Sequence, residues 1–306
     1  MVTGTFFFPD IVWKSLMLRP LRFGRFPSSY LFRFRQNGYH ENQMNGELKV
    51  GLALTVPILL LVFAGFLGIL GDYNEMHPER RFLPPSLAHP LGTDNFGRDV
   101  LRRVIAGSRH TITLAVFTVA GAVALGSALG LFAGYSGGIR DEIVMRLMDA
   151  ISSFPGILFA LVMVALMGNS QFTLFVALLV LFVPSFTRIM RSGALQYKHA
   201  DFVLAERLLG ASHVRILFAH ILPNLAHSLL SASALGLSNA ILAESAMSYL
   251  GLGIQPPHPS WGRMLSESQI FLFNAPWCAL APGGFIMLTV IGFHCLGNGL
   301  RRKFGD

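Results

Sequence analysis

From Ala150 to Thr187 the chain runs 38 residues without an Asp, Glu, Lys or Arg. A helix needs about 20 apolar residues to cross the hydrocarbon core of a bilayer, so this run is long enough for two crossings. Gly168-Asn169-Ser170-Gln171 supplies a turn between them. The run is not isolated: charged residues are only 13% of the chain and hydrophobic residues 53%. Soluble globular chains carry about 25% charged residues, and too little polar surface is present here to wet a compact particle. A pair of soluble domains is excluded on that ground, and so is intrinsic disorder, which requires low hydrophobicity.

Further charge-poor windows are Gly51–Gly71, Thr111–Tyr135, Ile216–Ala243 (with Pro223 near its start) and Ser268–Leu300, the last predicted to become helical near Pro276. The expected fold class is an all-α polytopic membrane protein with six transmembrane helices. Its expected organisation is a basic, aromatic N-terminal segment over residues 1–50, a first span over 51–71, an outer segment over 72–110, a five-helix core over 111–300 and a tail over 301–306. With both termini inside, the cytoplasmic parts hold 17 of the 24 Lys and Arg and the outer parts seven. That bias orients the chain N-in, C-in. The formal charge of +8 is read the same way: bases beside spans set orientation and touch anionic lipid, with no nucleic acid as partner. Arg19, Arg22, Arg25, Arg33 and Arg35 alternate with Leu21, Phe23, Phe26, Leu31, Phe32 and Phe34, a pattern for the inner membrane surface rather than for a cleavable signal.

In the outer segment, Phe96, Val100, Leu101, Val104 and Ile105 fall on one helical face. They predict an amphipathic helix on the outer membrane surface before the second span, capped by Thr93 or Asp94. Gly121, Gly126, Gly130 and Gly134 line the second span, and such spacing lets helices approach closely, within a bundle or across a dimer.

The 188–223 region carries most functional information. Asp201–Leu209 is predicted helical, Gly210 is a C-cap, and Ser212 caps a second helix that Pro223 breaks. A short helix–Gly–helix element projecting from a bundle is a rigid knob that another protein can push. It resembles the EAA loop of permease subunits of ATP-binding-cassette importers: Ala205, Gly210, Ile221, Leu222 and Pro223 match the motif, while Leu204 and Glu206 stand where the family has Glu and Ala. The resemblance extends over about residues 51–303. It includes Leu91-Gly92-Thr93-Asp94, Gly97-Arg98-Asp99, Ala133-Gly134-Tyr135-Ser136-Gly137-Gly138, Met145-Arg146-Leu147-Met148-Asp149, Ser248-Tyr249-Leu250-Gly251-Leu252-Gly253 and Pro256-Pro257-His258-Pro259-Ser260-Trp261-Gly262. These are similar to the C-type subunit of the dipeptide/oligopeptide/nickel branch. The tail Leu296-Gly297-Asn298-Gly299-Leu300-Arg301-Arg302 departs from the usual Gly-Asp-Gly-Leu-Arg-Asp.

The resemblance implies the type I importer permease fold and a set of partners. These are a second homologous permease subunit, two cytosolic ATPases that bind ATP and Mg, and an extracytoplasmic solute-binding protein, with membrane lipid around the spans. Asp201, Ala205, Glu206, Arg207, Gly210, Ala211, Ser212, Leu222 and Pro223 are then the ATPase-coupling residues. No cofactor is expected on this chain, and its own residues agree on one point: no GxxxxGK[ST] phosphate loop is present.

Other candidates are weaker. His213, His220 and His227 recur every seven residues, but neither HExxH nor a close acidic cluster accompanies them, so no metal is expected. Asp149 and Arg146 read as a local ion pair at the inner end of span three. Glu244, counted from Ala226, lies about 27 Å along its helix, at the outer interface, as a hydrogen-bonding group or part of an outer gate. Phe159, Met163 and Met167 are pathway or packing residues. No nucleophile pattern appears, so the chain reads as a non-catalytic transport subunit for peptides or, within the same branch, a nickel chelate or glutathione. The alternatives are an ion-coupled secondary carrier, which would bury ionisable relays at mid-membrane, and, more weakly, an intramembrane enzyme.

Overall fold

The computed structural model describes residues 37–67 and 71–304. The chain divides into two units, Met1–His40 and Glu41–Asp306, and the architecture described belongs to the second. The stretch expected on the membrane surface lies outside the described residues up to position 36. Among the described residues nine helices follow: α1 (Asn37–Phe66), α2 (Val100–Ser136), α3 (Gly138–Ser152), α4 (Gly156–Met167), α5 (Gln171–Tyr197), α6 (Asp201–Leu208), α7 (His213–Tyr249), α8 (Trp261–Ser268) and α9 (Trp277–Phe304). Two short 3₁₀ turns, Pro78–Arg80 and Gln269–Phe271, complete the described helical elements.

Five of these, α1 from Gly46 onward, α2, α5, α7 and α9, are long and apolar enough to cross a membrane. The sixth expected span is broken: α3 and α4 meet at an angle of 87°. At 12 residues, α4 reaches only about 18 Å, short of a hydrocarbon core of about 30 Å. The break is chemical. The Ser152 and Ser153 hydroxyls donate back to the carbonyls of Met148 and Ala150, and Pro155, which has no N–H to extend a helix, immediately precedes α4. Taken together the bent pair is still long and apolar enough for one span, so the expected six stand with one of them broken; what differs is its form, since the uncharged run supplies one continuous crossing and only the apolar arm of the other.

A second correction concerns the outer segment. No separate surface helix forms; Val100–Ser136 is one helix of 37 residues, about 55 Å long. Nothing between Val100 and Thr111 breaks it, and its first turns are packed rather than solvated, with Val100, Val104 and Ile105 all buried. The cap is Asp99, whose side chain accepts from the Arg102 N–H. Third, Pro223 does not end its helix. The preceding Ile216–Ile221 turn is π-helical, and this wider winding lets α7 run through the proline to Tyr249.

The core of the bundle is the α2–α5 pair, with α7 against α2 and α9, and α8 wedged between α7 and α9. The glycine stripe of α2 serves this intrachain contact. A Cβ on Gly126 would lie 2.7 Å from Phe186 Cβ, and one on Gly134 would lie 2.6 Å from the Arg191 carbonyl oxygen. With no strong hydrophobic drive between helices in lipid, such close backbone contact is what holds them. At the opposite end from the α5–α7 loop, Trp261 is fully buried and its indole Nε1 donates to the Val104 carbonyl at 2.9 Å, pinning α8 to α2. The expected Asp149–Arg146 pair is replaced by two others. Arg146 bonds Glu142 at 2.6 Å, and Asp149 reaches across to Arg188 of α5 at 2.9 Å.

Candidate functional site

The 198–224 loop folds as a braced knob. Helix α6 has eight residues, too few to be stable alone, so its geometry is held by contacts. Val203 is fully buried in a cluster with Leu131, Met190, Ala194, Ile216 and Ile221, which fixes α6 against α2, α5 and the start of α7. Arg207 lies over the Tyr135 ring at 4.9 Å and donates to its hydroxyl at 3.2 Å. The same hydroxyl lies 2.9 Å from His213 Nδ1. Tyr135, at the end of α2, thus ties both arms of the loop together.

Gly210 has φ of +80°, the left-handed conformation that ends α6 at low cost for glycine alone. The Ser212 hydroxyl accepts from the Arg215 N–H at 3.3 Å and starts α7. Glu206 and His220 face each other at 3.6 Å. Asp201 is in the first turn of α6 and exposed, as are Ala205 and Pro223, while Ala211 and Leu222 pack against the buried cluster. The structure therefore brings all nine loop candidates into one element. It also presents what motif matching passes over: Leu208 is 89% exposed and Leu209 81% exposed, and Val214 and Phe218 of the same loop are exposed as well. An apolar tip on a rigidly held base is costly in water and suited to a hydrophobic cleft.

The four pathway candidates do not converge. Phe159 and Met163 pack against a cluster of Leu114, Ala160, Leu174, Leu178 and Met247, and Met167 is exposed at the end of α4. Glu244 is fully buried near the other end of α7. Its carboxylate accepts from the Ser248 hydroxyl at 2.7 Å and the Ser245 hydroxyl at 3.4 Å.

Beyond it, the 72–110 segment and α8 form an ionic cluster. Arg98 Nε and Arg103 Nη1 donate to one oxygen of Asp94 at 2.7 and 2.8 Å, and Arg103 Nη2 donates to Glu267 at 3.2 Å. All but Glu267 are buried. Burial and the neighbouring Arg103 lower the Arg98 pKa, with Asp94 opposing. The sequence held a signal for this cluster: Arg103 shares a helical face with Val100, Val104 and Gly107, all buried.

Among the described residues no group of three His, Cys, Asp or Glu side chains is placed to hold a metal ion. His213 bonds Tyr135, and His227 stacks on Phe304 at 4.6 Å.

Residues 126–304 match the family described as binding-protein-dependent transport system inner membrane component. The dipeptide transport system permease protein DppC of Alkalihalophilus pseudofirmus is 40% identical over 252 residues, 82% of this chain and 83% of that one. The glutathione transport system permease protein GsiD of Pectobacterium atrosepticum is 37% identical over 82% of this chain and 83% of its own length. The oligopeptide transport system permease protein OppC of Bacillus subtilis is 36% identical over the same shares. Among solved structures, a chain of the MetNI methionine ABC transporter in an inward-facing conformation superposes with a TM-score of 0.57 at 16% identity, covering 67% of this chain and 97% of that one. That match speaks to the fold alone. With relatives this similar over four fifths of its length, the chain belongs to the family of binding-protein-dependent transport system inner membrane components, the permease subunits of ABC importers.

Proposed function

We propose that this chain forms one half of the translocation pathway of an ATP-driven importer of short peptides. In this reading a second, homologous permease subunit supplies the other half, and an extracytoplasmic binding protein delivers cargo. Two cytosolic ATPases, which carry the ATP and Mg, receive the 198–224 loop. Both termini of the chain face the cytoplasm. The observation that carries the reading is the apolar tip at Leu208 and Leu209, held out from the bundle on a base fixed by Val203 and Tyr135. A pathway half with no phosphate loop of its own needs a mechanical handle, and this exposed tip on a braced base supports that role. The cargo class rests on the relatives, whose names specify dipeptide, oligopeptide and glutathione transport; all three are peptides. Coupling by an ion gradient is not favoured, because the matching relatives are permease subunits of binding-protein-dependent systems.

Gly210→Pro is the discriminating variant. Proline requires φ near about −65°, whereas Gly210 sits at +80° and donates its N–H to the Arg207 carbonyl at 3.0 Å. Its surroundings are open, so the substitution disturbs the loop without disturbing the bundle. Expected on purification of the tagged importer are a membrane-inserted Gly210→Pro chain, loss of the co-purifying ATPase chains and loss of peptide uptake. Retention of both ATPases with normal uptake would reject the docking role.

A further inference from the structure

The most deeply buried carboxylate among the described residues, Glu244, is left without a part in the loop chemistry above. Four hydroxyls surround it. Ser245 and Ser248 belong to α7 itself and hydrogen-bond to the carboxylate; Thr111 of α2 and Ser260 at the cap of α8 lie at the same junction, where Gly262 of α8 packs directly on the Ser245 backbone. All four are buried. A carboxylate taken out of water is tolerated only while its oxygens stay hydrogen-bonded, so this one resists separation of the three elements that meet at it.

Those elements continue into the cap of the bundle. Thr111 accepts from the backbone N–H of Trp261 at 3.3 Å. Helix α8 carries Glu267, which is paired with Arg103 of α2. In the other direction, Glu244 and the knob are parts of one helix. From Arg215 to Glu244 α7 runs 30 residues, winding through the π-helical turn Ile216–Ile221 without leaving the helix, about 44 Å at the rise of a helix. A push on the loop therefore reaches, along one continuous though unevenly wound helix, a junction whose other members hold the far end of the bundle.

We infer that Glu244 is a positioning residue for transport: it couples movement of the 198–224 loop to the cap formed by residues 72–110 and 260–271, through the hydroxyls of Thr111 and Ser260. The inference rests on the reading of the loop as the docking site for the ATPases. Glu244 touches no cargo in this account; it makes the far end of the pathway follow the near end.

The test uses the complete importer, reconstituted with its ATPases and binding protein, and reads peptide molecules transported per ATP hydrolysed, normalised to assembled complex. Glu244→Leu removes the acceptor oxygens while keeping the volume. A lost hydrogen-bonded junction of this kind lowers the ratio about tenfold. Glu244→Gln keeps one carbonyl acceptor and restores the ratio to within about threefold of wild type. A purely structural role would reduce the amount of assembled complex and leave the ratio intact, and that result overturns the inference.

If the leucine variant does not assemble, Thr111→Val takes its place. It deletes only the hydroxyl reaching across from α2 and lowers the ratio about threefold to fivefold; an unchanged ratio there is equally fatal. Gly210→Pro, run in parallel, separates the two claims. Loss of the ATPases and of uptake in Gly210→Pro with an intact ratio in the Glu244 variants rejects the clamp alone, whereas retained ATPases and wild-type uptake in Gly210→Pro reject the docking reading on which it rests.

Discussion

An importer carrying Leu208→Asp together with Leu209→Asp inserts and folds but transports no peptide. Both side chains project from the tip of α6 with more than four fifths of their surface exposed, and neither contributes to the buried cluster that holds the loop. Their replacement therefore removes nothing that stabilises the chain itself. In the assembled importer, burying a leucine side chain contributes about 1.5–3 kcal/mol, and each 1.4 kcal/mol or so is about tenfold in affinity. Aspartate adds the cost of a desolvated charge inside an apolar cleft. The two changes together abolish co-purification of the ATPases and lower uptake by at least about 100-fold. Leu208→Ala, which trims the contact without adding charge, has a smaller effect of the same sign. Normal ATPase recovery and normal uptake in the double aspartate variant would show that the exposed tip is not the contact.

The second large effect is on the bundle rather than the loop. Gly134→Val prevents stable folding, because the new side chain is aimed at a neighbouring backbone. The first added carbon would stand 2.6 Å from the Arg191 carbonyl oxygen and 2.8 Å from Ala194 Cβ, and neither can move without shifting α5. Overpacking a core contact costs about 1–3 kcal/mol, and more where backbone must move; the α2–α5 contact is the most extensive among the described residues, so the shift is not local. The expected outcome is loss of monodisperse protein on size exclusion in detergent and a markedly lower unfolding midpoint in whatever remains. Gly284→Ala is the matched control: it lies in α9 with nothing within 4 Å of its added carbon and leaves both measurements unchanged. A monodisperse Gly134→Val chain with a wild-type midpoint would mean that the glycine stripe does not set the α2–α5 distance.

Much of the architecture is legible in the sequence because lipid imposes a simple rule. Uncharged windows long enough to cross a bilayer stand out, and the spans at Gly51, Thr111, Ile216 and Pro276 each correspond to an observed long helix. The rule fails where backbone chemistry outweighs hydropathy. Counting charges between Ala150 and Thr187 says nothing of Ser152, Ser153 and Pro155, which turn the chain through 87°. Proline reasoning erred in the opposite direction at Pro223, where a π-helical turn supplied an alternative to breakage. The amphipathic face near Val100 was legible, but what it packs against was not, since Trp261 and Ser260 arrive from about 150 positions later in the chain.

The candidate site divides in the same way. Gly210 and Ser212 announce a turn and a cap through local rules that need no tertiary information. Tyr135, which ties α6 to α7, has no local signature; its role exists only because α2 ends beside the loop. Glu244 stands out in sequence as an acid at the end of an apolar window, yet the junction it is buried in is completed by two other elements, where Thr111 of α2 bonds the Trp261 N–H of α8.

The most direct test of the central claim, that this chain is a passive half-pathway driven by other chains, is peptide uptake into proteoliposomes under two sources of energy. The chain reconstituted alone, given a proton or sodium gradient and no nucleotide, is predicted to transport nothing. The chain reconstituted with its partner permease, ATPases and binding protein is predicted to accumulate peptide only when ATP is supplied. Accumulation by the isolated chain on a gradient alone would contradict the account.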